Sequence, residues 1–184
     1  MSSLAAHITF YYNESRIPKL NRVIDALMAC RQIDKKDIWI HTNLSFDLGR
    51  NDVSIVVHDC STLMSPRHLT WLHRPLMKSQ VGNYSHYMYL GDDLLMPQEA
   101  FDYWFEYNQV ITSSGYELGF LRIETDDVGN EYVVDLLRGE KHSNRVHVNG
   151  LECAVLKRNF MGFWILGNED MQKFSQRQSK TTFN

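Results

Sequence analysis

Alternating apolar and polar segments in the first half of the chain predict strands and helices in turn. β-rich apolar runs predict strands at residues 7–12, 37–41, 53–58 and 84–90. Apolar residues at helical spacing predict helices at residues 17–28, 65–80 and 98–108, with Ser15 as a cap of the first helix and Pro75 as a kink or end of the second. Strand–helix–strand alternation is typical of an α/β protein with a mostly parallel sheet and helices on both of its faces.

The second half of the chain changes to a pattern of short strands and turns. Residues 119–124 and 132–137 predict two strands joined by the turn-rich segment 126–130. Asn149-Gly150 predicts a second hairpin between residues 146–148 and 151–156. Asn168 is expected to begin a last helix, and a polar tail follows from about residue 176. We therefore expect a small antiparallel β portion in this half.

Composition narrows the class of protein. A chain of 184 residues with 43% hydrophobic residues predicts one globular domain. The net charge of -3 argues against nucleic-acid binding. No apolar run reaches the roughly 20 residues of a transmembrane helix, and the N-terminus does not resemble a secretory signal. The cysteines Cys30, Cys60 and Cys153 show neither zinc spacing nor a disulfide framework. These features predict a cytoplasmic protein.

Polar residues follow each of the four predicted strands in the first half. They stand at residues 12–14, 41–43, 58–59 and 92–93. In a parallel sheet, the carboxyl ends of the strands meet at one edge, and ligands bind in the crevice beyond that edge. We therefore expect these residues to face one crevice.

The acid pair Asp92-Asp93 is the most informative feature of the chain. It follows an apolar run and precedes another, so the two carboxylates are expected at the end of a buried strand. Adjacent carboxylates repel each other and are costly to desolvate, and Mg²⁺ or Mn²⁺ would offset that cost and bridge to substrate phosphates. A turn or helix cap made by the same two residues is the alternative.

These elements resemble those of the GT-A class of nucleotide-sugar-dependent glycosyltransferases. Residues 7–13 look like the opening strand of that fold, residues 87–93 like its acidic "DXD-like" strand, and residues 167–170 like an acidic pair that lines the acceptor side. The resemblance implies a single GT-A-like, Rossmann-like domain over residues 1–184. Its nucleotide-binding half would span about residues 1–97 and its acceptor half about residues 98–175.

The resemblance implies a metal and a donor substrate. Mn²⁺ or Mg²⁺ would be held by Asp93, with Asp92 as a second ligand or a ribose contact, and would assist departure of a nucleoside diphosphate from a UDP- or GDP-sugar. Tyr11 or Tyr12 would stack on the base. Other contacts to the nucleotide are expected from Asn13, at the edge of the base, and from Arg74, at the phosphates.

An inverting sugar transfer also needs a carboxylate that takes the proton of the acceptor hydroxyl. By resemblance, Asp170 is the first candidate, Glu169 lies beside it, and Glu124 is the next. Acids in the first turn of a helix also interact favourably with its dipole, which is the structural alternative for Asp170 and Glu169. The acceptor, whether glycan, glycolipid or protein, is not indicated, and neither are the stereochemical outcome and the oligomeric state.

Two departures from the family pattern keep other functions open. Gly91 stands where many relatives carry an acid, and the chain is short for the class. A weakly active or inactive member that binds nucleotide or glycan, or that acts as a scaffold, would show both features. A nucleotidyltransferase of related architecture is a further alternative, although residues 11–15 lack the glycine-rich loop that follows the first strand in those enzymes.

Overall fold

The computed structural model describes residues 1–134, 144–156 and 162–178. The chain divides into two compact units, one formed by Met1–Gln98 with Gly162–Asn184 and the other by Glu99–Met161. The last described segment thus belongs to the first unit, although residues 162–175 were expected in the acceptor half. No helix among the described residues is long and apolar enough to cross a bilayer.

The first unit is built on a five-stranded sheet whose order is β3-β2-β1-β4-β9. The strands in chain order are β1 (Ser3–Phe10), β2 (Lys35–Thr42), β3 (Val53–Val57), β4 (His86–Gly91) and β9 (Phe163–Gly167). The first four run parallel to one another, and β9 pairs antiparallel with β4. The predicted α/β class with a mostly parallel sheet is confirmed, while the edge strand β9 was not predicted.

β1 lies at the centre of this sheet and is buried on both faces. Its residues from Leu4 to Phe10 are all buried, as expected for a strand covered on both sides. The helix α1 (Ile17–Ala29) contacts the neighbouring strand β2, and its buried residues recur at helical spacing. Ala5 and Tyr87 pack with Met77 and Met171 in one apolar cluster.

The predicted helix at residues 65–80 is divided into two pieces. A 3-10 helix spans Pro66–Trp71, and the short helix α2 spans Arg74–Ser79. Pro75 explains the break, because it has no N–H to continue an earlier helix and is tolerated only in the first turn of a new one. In the first unit α4 (Asn168–Gln178) contacts β9 and β4.

The second unit contains the helix α3 (Gln98–Ser113), apart from its first residue, and two hairpins. β5 (Ile123–Thr125) pairs with β6 (Glu131–Val133), and β7 (Arg145–Val148) pairs with β8 (Leu151–Ala154). Asn149 and Gly150 have φ values of 47° and 84°, the positive values that a two-residue hairpin turn requires. Both predicted hairpins are confirmed, and the predicted strand residues 135–137 lie outside the described residues.

Candidate nucleotide site at the carboxyl edge of the sheet

The strand order places a topological switch point between β1 and β4. From β1 the chain continues to β2 on one side, whereas β4 pairs with β1 on the other side. In open parallel sheets, the connections diverge at such a point and leave a crevice beyond the carboxyl ends of the two strands. Residues 11–16 follow β1 and residues 92–93 follow β4, so both segments border this crevice.

Arg16 joins the two acids of the pair. Its Nη2 lies 2.9 Å from Oδ1 of Asp92 and 3.0 Å from Oδ2 of Asp93. Arg16 is the last residue of a 3-10 turn, Glu14–Arg16, shortly after β1, and this turn brings the side chain back over the end of β4. The guanidinium therefore offsets the mutual repulsion of two carboxylates that are adjacent in sequence.

Asp92 is the buried member of the pair. Only 5% of the residue is exposed, and its Oδ2 is buried without a hydrogen-bond partner. Burial raises the pKa of Asp92 to about 6; Arg16 opposes this rise and the neighbouring Asp93 adds to it. A buried carboxylate oxygen that lacks a donor is costly unless a ligand or cation completes it. Oδ2 of Asp92 is therefore the atom at this edge that a ligand or cation would complete.

Gly91 gives Asp93 its position. A Cβ on Gly91 would lie 3.1 Å from Oδ1 of Asp93, closer than most non-bonded contacts of this kind. The Asp93 carboxylate therefore folds back over the end of β4, where it meets Arg16. The glycine that departs from the family pattern in sequence makes room for the acid that follows it.

Two of the residues after β1, Tyr12 and Asn13, make structural contacts. Tyr12 packs against Phe10 and Phe46, with ring centroids 6.0 and 5.2 Å away. Asn13 caps the 3-10 turn, because its Oδ1 accepts from the backbone N–H of Ser15 at 3.0 Å. The prediction that Ser15 caps α1 is wrong, because Ser15 lies inside the 3-10 turn and the N-cap residue of α1 is Arg16, which makes no side-chain cap hydrogen bond. Asn13 was also predicted to read the base, and this hydrogen bond already uses its carbonyl oxygen.

Tyr11 differs from Tyr12 in being exposed. Its exposed fraction is 43%, and it stands beside the switch point at the end of β1. Sequence alternation left the two tyrosines equivalent as stacking candidates. Tyr11 is the more exposed of the two residues.

Arg74 contacts an aromatic ring. Its guanidinium stands over the Trp71 ring, 4.9 Å from the centroid, at the start of α2. Within the described part of the chain, Arg16 is the basic side chain that contacts both acids. Sequence reasoning missed Arg16; its signal is a basic residue a few positions beyond the end of the central strand.

Two of the acidic residues expected to act as the base, Glu169 and Asp170, are not brought to the acid pair. β9 is antiparallel to β4 and pairs Gly167 with His86, so α4 begins beside the start of β4. The backbone N–H of Asn168 accordingly donates to Ser85 O at 2.9 Å. Glu169 and Asp170 therefore lie at the opposite edge of the sheet, about 20 Å from the acid pair for six strand residues at about 3.3 Å each.

Asp170 has a local partner in its own helix. Its Oδ1 lies 3.2 Å from Nζ of Lys173, and both acids stand in the first turn of α4. This is the helix-dipole alternative raised from the sequence. Glu124 lies in β5 of the second unit, opposite Tyr132, with its Oε1 3.9 Å from Nε of Arg122.

Comparison with known proteins finds likeness among solved structures. No protein-family model matches the chain, and no curated protein matches its sequence. Among solved structures, the chain is similar to the 4-diphosphocytidyl-2C-methyl-D-erythritol synthase of Anaerococcus prevotii. The identity is 10%, the TM-score is 0.45, and the match covers 100% of this chain and 78% of that one. The strand order, the acid pair and Arg16 are therefore the basis on which a function is assigned.

Proposed function

We propose that this protein is a metal-assisted transferase that binds the phosphates of a nucleotide at the switch point between β1 and β4. Its first candidate reaction moves a sugar from a UDP- or GDP-sugar to a hydroxyl acceptor. The observation that supports the proposal is the unpartnered Oδ2 of Asp92, buried beside Asp93 and Arg16 where a parallel sheet binds its ligands.

The acid pair suits a divalent cation that is shared with the substrate. The described residues contain no group of three or more His, Cys, Asp or Glu side chains that could hold a metal. Two carboxylates with open positions for phosphate oxygens are the usual way in which Mg²⁺ is bound next to nucleotides. Asp92 and Asp93 would hold the Mn²⁺ or Mg²⁺, which would supply Lewis-acid stabilisation of the leaving phosphate.

In this proposal, Arg16 pairs either with the two acids or with a phosphate of the substrate. Without substrate it neutralises both acids, and its side chain remains 35% exposed to solvent. When a cation meets the acids, Arg16 is free to form a bidentate pair with a phosphate, for which its planar fork is suited. The side chain thus keeps the site stable when empty and adds positive charge where the leaving phosphate becomes more negative.

Tyr11 completes the nucleotide side of the site. It follows the same strand as Arg16, and it is the exposed tyrosine of the pair. A ring at this place can stack on a nucleobase whose phosphates reach the acid pair. Tyr12 keeps a packing role against Phe10 and Phe46.

A second candidate is transfer of a nucleotidyl group from a nucleoside triphosphate. Arg16 favours it, because sugar nucleotidyltransferases carry a basic residue after their first strand. The absence of glycine from residues 11–15 counts against it. The two reactions differ in the product released, which is a nucleoside diphosphate in sugar transfer and pyrophosphate in nucleotidyl transfer.

The proposal is tested by binding first and by products second. UDP, GDP and CDP, each with and without Mn²⁺, are added to the wild-type protein and to Asp92→Asn and Asp25→Asn variants, and the unfolding temperature is measured. Asp25 is the matched control, a carboxylate on α1 that pairs with Arg50 2.6 Å away. Ligand at about 100 times its dissociation constant stabilises the folded state by about 2.7 kcal/mol.

We expect a Mn²⁺-dependent shift for at least one nucleotide in the wild type and in Asp25→Asn, and none in Asp92→Asn. Release of nucleoside diphosphate from a sugar donor then identifies sugar transfer, and release of pyrophosphate from a triphosphate identifies nucleotidyl transfer. Binding without either product identifies the non-catalytic member of the fold. Absence of any nucleotide shift contradicts the proposal.

A further inference from the structure

Three histidines and a glutamine form a continuous row of hydrogen bonds across the strands of the sheet. Gln80 Oε1 lies 2.9 Å from Nε2 of His7. Nδ1 of His7 lies 2.8 Å from Nε2 of His41, and Nδ1 of His41 lies 2.8 Å from Nε2 of His58. The row runs from the end of α2 across β1 and β2 to the residue after β3.

The ring geometry is that of in-plane hydrogen bonds. His7 and His41 have centroids 5.1 Å apart and planes 23° apart, and His41 and His58 have values of 5.1 Å and 18°. Two near-parallel rings at this separation, with nitrogens 2.8 Å apart, lie side by side so that an N–H points at the lone pair of its neighbour. His7 and His41 are fully buried, so water cannot substitute for these bonds.

Burial keeps the row neutral. The pKa of His7 is lowered by burial to about 4, and that of His41 is lowered by burial and its histidine neighbours to about 3. A neutral imidazole has one N–H donor and one lone pair, so each ring donates to one neighbour and accepts from the other. The direction of the whole row is therefore decided by the group at its end.

Gln80 decides that direction. Its Oε1 can only accept, so His7 carries its proton on Nε2 and leaves Nδ1 as an acceptor. His41 must then donate from Nε2 to His7, and His58 must donate from Nε2 to His41. Each ring is consequently the Nε2–H tautomer, and the row ends in an unprotonated Nδ1 on His58.

The main chain of Gln80 is held in place by hydrogen bonds. The residue is buried, and its backbone carbonyl accepts from the Tyr87 hydroxyl at 2.7 Å. Its backbone N–H donates to Met77 O at 3.1 Å, closing the end of α2. The backbone N–H and the backbone carbonyl of Gln80 are thus both hydrogen-bonded.

His58 stands at the edge of the sheet where a ligand binds. It follows β3 directly, its backbone N–H donates to Thr42 O at 2.8 Å, and its side chain is partly exposed. Within the described residues, its Nδ1 has no hydrogen-bond partner. Three steps across the sheet separate β3 from β4, about 14 Å at about 4.8 Å a step. An extended nucleoside diphosphate can place its base toward β3 while its phosphates meet Asp92.

We propose that Nδ1 of His58 accepts a hydrogen bond from an imide-type N–H of the nucleobase, with its tautomer set by Gln80 through His41 and His7. Uracil and guanine present such an N–H, whereas cytosine and adenine present a lone pair at the corresponding ring nitrogen. The identity of this ligand rests on the proposed function. The tautomers assigned to the three rings do not rest on the proposed function.

The tautomers are measured by ¹⁵N NMR of the full-length protein at pH 7.5, which distinguishes protonated from unprotonated imidazole nitrogens. We expect the Nε2–H form at His7, His41 and His58 in the wild type. A proton on Nδ1 of His58 overturns the inference, and this result needs no variant. Gln80→Leu should abolish the single tautomer at His58, whereas the control Gln98→Leu, at a glutamine outside the row, should preserve it.

The ligand is tested with UDP, its N3-methyl derivative and CDP, by calorimetric titration in the presence of Mn²⁺. We expect the N3-methyl derivative and CDP to bind about tenfold more weakly than UDP, because each leaves the His58 acceptor unpaired. His58→Phe should bind all three alike. Equal affinity of the wild type for UDP and its N3-methyl derivative overturns the base-reading role alone. Absence of binding by every nucleotide overturns the proposed function and this ligand class together.

Discussion

The guanidinium of Arg16 and the carboxylate of Asp92 form an ion pair of 2.9 Å across the end of the two central strands. Arg16 also contacts Asp93, so one positive group faces two negative ones. Asp92 is almost completely buried, whereas Arg16 is about one-third exposed. We therefore expect the stability of this edge of the sheet to depend on Arg16, and ligand binding at the proposed site to require displacement of Arg16.

Replacing Arg16 by Met should destabilise the protein by about 1–2 kcal/mol at pH 7, less than a fully buried ion pair because Arg16 is partly exposed. Removing the guanidinium raises the pKa of Asp92 further above its value of about 6. A raised carboxyl pKa means that the folded state takes up protons first, so its stability rises as the pH falls through that pKa. The loss should thus be smaller at pH 5 than at pH 7.

Urea unfolding of the wild type and Arg16→Met at both pH values measures this difference. The double variant with Asp92→Asn is the control, because it lacks the acid that Arg16 neutralises. An equal loss at pH 5 and pH 7 would show that Arg16 acts by packing and not by charge.

Arg16→Met should also tighten the binding of Mn²⁺ in the absence of nucleotide. The acid pair then has no competing cation, and Asp92 offers its oxygens directly. Titration of Mn²⁺ followed by electron paramagnetic resonance measures the affinity. If the variant bound Mn²⁺ more weakly than the wild type, the acids would not be the metal ligands.

Gly91→Ala should change function more than stability. The new Cβ would lie 3.1 Å from Oδ1 of Asp93, and that side chain is 56% exposed, so it can turn away at little cost. We expect a stability change within about 0.5 kcal/mol. Loss of the Asp93 position should weaken Mn²⁺-dependent nucleotide binding. Gly167→Ala is the control, because a Cβ there meets nothing within 4 Å. Equal nucleotide affinity in both variants would separate Asp93 from the site.

Acid should destabilise the protein through its buried histidines. Burial lowers the pKa of His7 to about 4 and those of His41 and His73 to about 3. Between pH 6.5 and 4 the unfolded chain binds protons that the folded chain does not, so stability falls as the pH falls. Each histidine contributes up to about 1.4 kcal/mol per pH unit, and the raised pKa of Asp92 offsets part of this below pH 6.

Denaturant unfolding from pH 7.5 to 5 measures the slope. His73→Phe removes one of the three groups and keeps a ring against Tyr89, whose centroid lies 4.2 Å from that of His73. We expect a slope smaller by up to about 1.4 kcal/mol per pH unit in this variant. A stability that did not change with pH would mean that these histidines are not neutral in the folded protein.

The local pattern of the chain was sufficient for the parallel strands and for both hairpins. Neighbouring residues decide the start of α1, with Pro18 in its first turn, and the turn at Asn149-Gly150. They also decide the burial of β1 on both faces. The position of Asp92-Asp93 at the end of a buried strand follows from the same local reading. Such features depend on periodicity and backbone preference, which are properties of the sequence itself.

Contacts between distant parts of the chain were decided only by the tertiary structure. The antiparallel pairing of β9 with β4 put Asp170 at the opposite edge of the sheet from Asp92, although resemblance had placed both in one site. Arg16 meets Asp92 across 76 positions, and Gln80 meets His7 across 73. Spacing along the chain carries no information about such pairs, because strand order and direction determine which side chains come within hydrogen-bonding distance.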